Sequence, residues 1–182
     1  MALEFTKSYI QDSLAVFRAY KRLAEGAMLQ LTDQQLFATL DPEANSIAII
    51  VKHMVGNMRS RWTDFITTDG EKPDRNRDQE FVDPASTREE LLAEWEDGWQ
   101  CVFRAIEPLT DDALGRKVTI RGEAHSAMQA INRQVAHYSM HVGQIVFLAK
   151  HLAGDRWRSL SVPRNKSAEF NRKVATGEAS QR

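Results

Sequence analysis

Four segments of the sequence repeat apolar residues with the period of an α-helix, and this pattern limits the fold more than any other feature. The segments span residues 3–28, 41–67, 86–107 and 126–152. Each has one apolar face, which another element must cover before the chain can form a core. Covering these faces with one another predicts an all-α fold, a four-helix bundle.

Capping sequences mark where these helices begin. Asp41-Pro42-Glu43 combines an N-cap aspartate with a proline at the first helical position, and it predicts the start of the second helix. Ser86 and Thr87 each precede a glutamate by three residues, which predicts the start of the third helix. Before the fourth helix, residues 117–120 alternate in polarity and residues 121–123 favour a turn, so a short β-hairpin is predicted there.

The segment from Glu71 to Asp83 is charged and has few apolar residues, which predicts a long loop between the second and third helices. Four arginines lie in or near this loop: Arg59, Arg61, Arg75 and Arg77. Aspartates alternate with them along the chain. A solvated surface is therefore predicted for this basic cluster, rather than an anion-binding site.

The charge balance argues against two classes of partner. The chain has 24 basic and 25 acidic residues, a formal net charge of −1, so neither nucleic acid nor an anionic membrane is expected to bind it. Its single cysteine, Cys101, is typical of a reducing compartment. The first residues lack the pattern of a signal peptide, and no window has the roughly 20 apolar residues of a membrane span. We therefore expect a cytoplasmic protein, with a single domain over residues 1–172 and a frayed tail over residues 173–182.

His137 and His141 are four residues apart in the predicted last helix. At that spacing two side chains leave the same face of a helix, one turn apart, with Cβ atoms roughly 6 Å from each other. Two imidazoles placed in this way can bind one metal ion. The same face carries core-type residues such as Ala130 and Leu148, where an imidazole without a partner would be costly. A pair of core histidines that are hydrogen-bonded to other groups is the alternative.

His53 is the predicted third ligand. It lies in the second helical segment, on a face shared with Asn57, and metal sites in helical bundles are built from side chains on facing helices. Alone, such a residue would more often be a structural histidine. Gly56 beside it would let a neighbouring helix approach closely. His125, in a turn-like stretch, and His151, near the end of the last helix, are excluded from the site.

Three blocks of the sequence resemble the DinB-like (DinB/YfiT-like) family: residues 46–62 (SIAIIVKHMVGNMRSRW), 118–123 (VTIRGE) and 137–145 (HYSMHVGQI). The tail over residues 157–171 adds to the likeness. One histidine in the second helix and a histidine pair in the last match the metal triad of that family. The resemblance, closest to an uncharacterised subfamily, implies a four-helix bundle that is often dimeric and holds nickel, zinc or another divalent ion.

Three histidine ligands leave at least one coordination position open for a small-molecule ligand, which permits catalysis. Some DinB-like proteins transfer low-molecular-weight thiols to electrophiles or use such thiols as cofactors. The resemblance therefore implies a metal-dependent thiol (S-)transferase in which a metal-bound thiolate is the nucleophile. Asn57, Gln134 and Gln144 are the residues predicted to orient the groups at the ion.

Two other functions stay open. A metal-dependent hydrolase would need a general acid or base, and neither helix with a ligand places a carboxylate beside it. A non-catalytic, stress-related protein, dimeric like many DinB-like proteins, would use the ion to hold the bundle together. Three imidazoles accept zinc or nickel, and also iron, cobalt or copper, so the sequence does not select the metal.

Overall fold

Four long helices form the bundle, in a computed structural model that describes residues 8–82 and 84–180. In chain order the helices are α1 (Tyr9–Met28), α2 (Asp33–Phe37), α3 (Ile47–Trp62), α4 (Arg88–Ile106), α5 (Ala127–Ala153) and α6 (Ser167–Ala175). The long ones are α1, α3, α4 and α5, and the predicted all-α bundle is confirmed. The first residues of the predicted first helix, 3–7, lie outside the described part of the chain.

The long helices pack in two close pairs, α1 with α5 and α3 with α4, and α3 also contacts α5. The Phe17 ring of α1 contacts one buried ring from each of the other three long helices: Trp62, Trp99 and Tyr138. The ring of Phe17 lies 5.7 Å from that of Tyr138 and 6.1 Å from that of Trp62, between centroids. These large buried rings supply much of the apolar area that holds the helices together.

The third helix of the structure, α3, begins later than the sequence predicts. Asp41 does not cap a helix, because its carboxylate accepts the backbone N–H of Glu43 in a local turn. Ser46 is the N-cap, accepting the N–H of Ile49. Aspartate followed by proline also favours a turn, because the carboxylate can accept a backbone N–H two residues on. The later start places Ile47 in the core. The helix also ends at Trp62, before the predicted residue 67.

The predicted hairpin is confirmed: β1 (Lys117–Ile120) pairs antiparallel with β2 (Glu123–Ser126), directly before α5. Its turn residues, Arg121 and Gly122, have φ of 54° and 77°, as a tight two-residue turn requires. The Asp69 carboxylate accepts both of their backbone N–H groups at 2.8 Å. This contact fixes the start of the 71–82 loop against the hairpin.

The polar stretch after α5 contains a helix that the sequence did not predict, α6. The predicted end of the domain, residue 172, falls inside this helix, so the division between domain and frayed tail stays a prediction. Within residues 8–82 and 84–180, none of the helices combines the length and the apolar character needed to cross a bilayer.

Candidate metal centre

Three histidines from two helices meet inside the bundle. His53 lies on α3, and His137 and His141 lie one turn apart on α5. Since α3 packs against α5, one nitrogen from each imidazole lies within 4.8 Å of the other two. His53 and His141 are 5 % and 9 % exposed, and His137 is partly buried. The structure thus brings together the three residues predicted as metal ligands.

Contacts at the outer ring nitrogens determine which atoms face the centre of this triad. His53 Nδ1 lies 2.8 Å from Glu80 Oε2, and His141 Nδ1 lies 2.8 Å from Gln144 Oε1. The Nε2 atoms of His137 and His141 are 3.1 Å apart. Nitrogens bound at about 2.0–2.1 Å around a tetrahedral zinc ion would be separated by about 3.3 Å. The spacing of this pair therefore fits a shared cation.

Glu80 holds His53 in place, and it comes from the loop rather than from a helix. It lies in a 3-10 turn, Asp78–Phe81, and is 6 % exposed. Arg75 donates from Nε to Glu80 Oε1 at 2.7 Å and from a terminal nitrogen to Oε2 at 2.9 Å. Burial opposes ionisation of this carboxyl, but hydrogen bonds from His53 and Arg75 outweigh burial and lower its pKa. An ionised Glu80 accepts the Nδ1–H of His53 and leaves the Nε2 lone pair for the centre.

The solvated surface predicted for the basic cluster is wrong for Arg61 and Arg75. Their side chains are 7 % and 4 % exposed, and each donates to Glu71 Oε2, at 2.8 and 3.1 Å. Burial opposes the charge of Arg75, but Glu80 and Glu71 raise its pKa, whereas burial lowers the pKa of Arg61. Their partners are two glutamates of the folded loop, not the aspartates that alternate with them along the chain.

Gly56 makes room for the loop, not for a neighbouring helix as predicted. A Cβ atom there would lie 2.7 Å from Glu80 Cδ and 3.0 Å from Glu80 Cγ. Phe81 stacks on the His53 ring, with centroids 4.7 Å apart and planes at 27°. The loop therefore covers one face of the imidazole and binds its Nδ1 edge.

The surroundings of His137 and His141 favour neutral imidazoles. Burial lowers the pKa of His137 to about 3, and the charges of His141, His53 and two nearby arginines add to the effect. Burial also lowers the pKa of His141, against a smaller opposing effect of Gln144. A neutral imidazole is the form that binds a metal ion. Acceptors hold two of the three rings, His53 through Glu80 and His141 through Gln144, whereas Nδ1 of His137 has no hydrogen-bond partner among the described residues. This set of three imidazoles could hold a metal ion.

The three residues predicted to orient the site have different surroundings. Gln144 binds His141 Nδ1, as expected of such a group. Asn57 accepts the Tyr138 hydroxyl at 3.1 Å. Gln134 is 2 % exposed, and its Oε1 has no hydrogen-bond partner among the residues that the structure describes. Asn57 and Gln134 line the cavity next to the triad.

The two histidines excluded from the site lie elsewhere. His125 is on β2, where its Nδ1 lies 3.0 Å from the backbone oxygen of Glu123. His151 is exposed in the last turn of α5. Neither belongs to the cluster.

Sequence reasoning missed the contribution of the loop, above all Glu80, Arg75 and Phe81. One signal was available: Phe81-Val82 is an apolar pair in an otherwise charged segment, which indicates packing against the core. Nothing in the spacing indicated that the preceding glutamate would reach a histidine 27 positions earlier.

A family model described as "Protein of unknown function (DUF1572)" matches residues 4–166. The chain belongs to this family. DUF1572 is grouped with the DinB/YfiT-like proteins, so the resemblance is confirmed at the level of that group. None of the curated proteins matches the chain.

The DUF1572 match contains every residue of the site: the triad, the 71–82 loop and the hairpin. The α6 helix begins at Ser167, just beyond the matched residues. Membership in the family therefore agrees with the bundle as the unit that carries the site.

Proposed function

We propose that the chain binds one divalent cation, zinc or nickel, through the Nε2 atoms of His53, His137 and His141. The observation that carries the proposal is the meeting of these three imidazoles, two of them buried and one partly buried, while Glu80 and Gln144 occupy two of their outer nitrogens. We further propose that the chain is a thiol (S-)transferase, which joins the sulfur of a low-molecular-weight thiol to an electrophilic carbon.

The residues of the chain have defined tasks in this proposal. The three histidines supply neutral donors and leave a coordination position open. Glu80 and Gln144 fix two of the rings, so little reorganisation is needed when a ligand arrives. A divalent cation supplies a Lewis acid that lowers the pKa of a bound thiol or water. In the overall reaction the thiol loses its proton to solvent, the carbon–sulfur bond forms and the leaving group departs.

Hydrolysis has weaker support than thiol transfer. The described residues that line the cavity beside His53 and His137 include no carboxylate. Glu80, which approaches the site from the loop, is already bound by His53 and Arg75. These residues therefore offer no general acid or base for hydrolysis. The same Lewis acid acts on water and on a thiol, but a thiol starts from a much lower pKa and is converted to its nucleophilic thiolate more readily.

Metal analysis tests the first part of the proposal. Protein purified without an affinity tag is stripped with a chelator, reloaded with zinc or nickel and desalted. We expect a stoichiometry near one, which is lost in His53→Ala and His137→Ala. His151→Ala is the matched control, since it removes an exposed histidine and should keep the ion. Retention of a full equivalent by both triad variants would refute the site.

Turnover tests the second part. The loaded protein is mixed with a panel of low-molecular-weight thiols and a chromogenic electrophile. We expect a rate above that of His137→Ala with at least one thiol, and loss of that rate on chelation. If no thiol gives such a rate but activated esters are hydrolysed in a chelator-sensitive way, the hydrolase is the better description.

The burial of the triad supports a second candidate, a non-catalytic ion that cross-links α3 and α5. In that case removal of the ion should unfold the protein or lower its melting temperature strongly, as for structural zinc sites. In the catalytic case the metal-free protein stays folded. The change in melting temperature on loading then depends only on the affinity for the ion. Thermal melting of stripped and loaded protein separates the two. The resemblance to the DinB-like family also implies a homodimer, which stays a prediction. Size-exclusion chromatography with light scattering tests it.

A further inference from the structure

A cavity of about 470 Å³ lies directly beside the triad, and arginines dominate its wall. His53 and His137 form part of its lining, together with Asn57 and Gln134. Five arginines contribute to the same cavity: Arg61, Arg75, Arg77, Arg121 and Arg133. They come from α3, the loop, the hairpin turn and α5, which are far apart in sequence.

The positive charge of this wall exceeds the acidic charge paired with it. Glu71 binds Arg61 and Arg75 and lies 3.4 Å from Arg121, and Glu80 binds Arg75. Two carboxylates thus serve three of the five guanidinium groups. Neither of the other two arginines, 77 and 133, lies within 4 Å of a carboxylate in the part of the chain that the structure describes.

The inner and outer parts of the wall differ in burial and in the contacts of their arginines. Arg61 and Arg75 are buried and held by several hydrogen bonds, so they present a fixed positive surface. Arg77 lies over the Phe81 ring, 5.0 Å from its centroid, and Phe81 in turn stacks on His53. Arg133 is exposed on α5, one turn before His137. These outer arginines can move to meet a ligand that enters from solvent.

Three buried polar atoms of residues that line the cavity have no hydrogen-bond partner among the described residues. One is Nδ1 of His137, in the triad itself; the other two are Nε of Arg61 and Oε1 of Gln134, on residues that are 6 % and 2 % exposed. Buried polar groups in folded proteins are nearly always satisfied, so such atoms indicate a ligand or ordered water. A guanidinium N–H is a donor that suits an oxyanion.

We propose that this cavity binds a small molecule carrying carboxylate or phosphate groups, with its anionic end on the arginines and its reactive end at the triad. The inference rests on the proposed metal site and adds the substrate class to it. Arginine suits this task because its planar fork binds carboxylate and phosphate oxygens in pairs. A neutral thiol or electrophile would leave the surplus positive charge of the wall unused.

Calorimetric titration of the loaded protein tests the proposal, at constant ionic strength, with inorganic phosphate, succinate and the neutral succinamide as probes. We expect phosphate or succinate to bind and succinamide not to bind. The double variant R77Q/R133Q should weaken anion binding at least about 10-fold, an effect typical of lost charge-assisted hydrogen bonds. The matched control is Arg172→Gln, which removes an exposed charge on the remote α6 helix and should change nothing.

The outcomes separate this inference from the proposed metal site. Equal anion affinity in wild type and the double variant, or equal binding of succinamide, would overturn the inference. Both probes can also bind an exposed cation directly, so the titration is repeated with stripped protein, where the arginine-dependent binding should persist. A metal stoichiometry near one with no anion binding refutes only the inference, whereas anion binding without metal uptake refutes only the metal site. Tighter binding of phosphate would assign the natural ligand as a phosphate ester, and tighter binding of succinate would assign it as a polycarboxylate. Either result supports the proposal.

Discussion

The Nδ1 atom of His53 lies 2.8 Å from Glu80 Oε2. A helix residue and a loop residue that are 27 positions apart in the sequence thus form one buried contact. Arg75 binds the same carboxylate through two nitrogens. This contact fixes the orientation of the His53 ring, so that its Nε2 faces the imidazoles of His137 and His141. Several expected outcomes depend on it.

Replacing Glu80 with glutamine should weaken metal binding by about 10- to 100-fold, as expected when the acceptor behind a metal-binding histidine is altered. Glutamine keeps the shape of the side chain but loses the charge that strengthens the His53 donor and balances Arg75. Competition with a chelating zinc indicator measures the dissociation constant. Glu43→Gln is the control, because that residue is exposed. An unchanged constant in Glu80→Gln would argue against a role for this contact.

Gly56→Ala should have a similar effect, although it changes no polar group. The added methyl would overlap Glu80, whose carboxylate cannot move away without breaking its bonds to His53 and Arg75. We therefore expect weaker zinc binding and a loss of stability. The control is Gly143→Ala on α5, where a Cβ meets nothing within 4 Å. That change should leave zinc binding intact and stabilise the helix by up to about 1 kcal/mol. Equal zinc affinity in the two variants would contradict the prediction.

The metal-free protein should lose stability on mild acidification. Burial holds the pKa of His137 at about 3 and lowers that of His141 as well, while an unfolded histidine titrates near about 6.5. The unfolded state therefore binds more protons below about pH 6.5, and the free energy of unfolding falls as the pH drops toward the folded pKa. The slope is at most about 1.4 kcal/mol per pH unit for each imidazole.

Urea unfolding of stripped protein between about pH 7 and about pH 5 measures this slope, above the range where most carboxylates titrate. His137→Gln should flatten the decline, since one of the two neutral imidazoles is gone. His151→Ala, which removes an exposed histidine, should not. A wild-type stability that stays constant or rises over this interval would show that His137 and His141 are not held neutral.

Tyr138→Phe should destabilise the bundle by about 1–3 kcal/mol, the cost of leaving buried polar groups unpaired. The Tyr138 hydroxyl accepts the Trp62 indole N–H at 2.9 Å and donates to Asn57 Oδ1 at 3.1 Å, and these three residues are buried. Urea unfolding measures the change. Tyr20→Phe is the control, because that ring is only partly buried, and it should stay within about 0.5 kcal/mol of wild type. A similar loss in both variants would mean that the hydrogen bonds of Tyr138 contribute little.

Local interactions explain why much of the helical framework could be predicted. The capping pairs at Thr87 and Ser126 start α4 and α5 where the sequence places them. The failure at Asp41 has the same local origin, because an aspartate before proline can close a turn as well as start a helix. The positions of His137 and His141 on one face follow from helix geometry alone.

Helical periodicity by itself determined four amphipathic elements and one histidine pair, because hydrogen bonds and side-chain contacts within about four residues decide those features. Only the tertiary structure decided that His53 completes the triad, that Glu80 orients it and that five arginines surround the adjoining cavity. Those contacts join residues that lie tens of positions apart in the sequence. They depend on how the 71–82 loop folds back over α3. Stacking of Phe81 on His53 and the pairing of Arg61 and Arg75 with glutamates stabilise that packing. The order of charged residues along the sequence does not indicate which of these residues become buried when the loop folds.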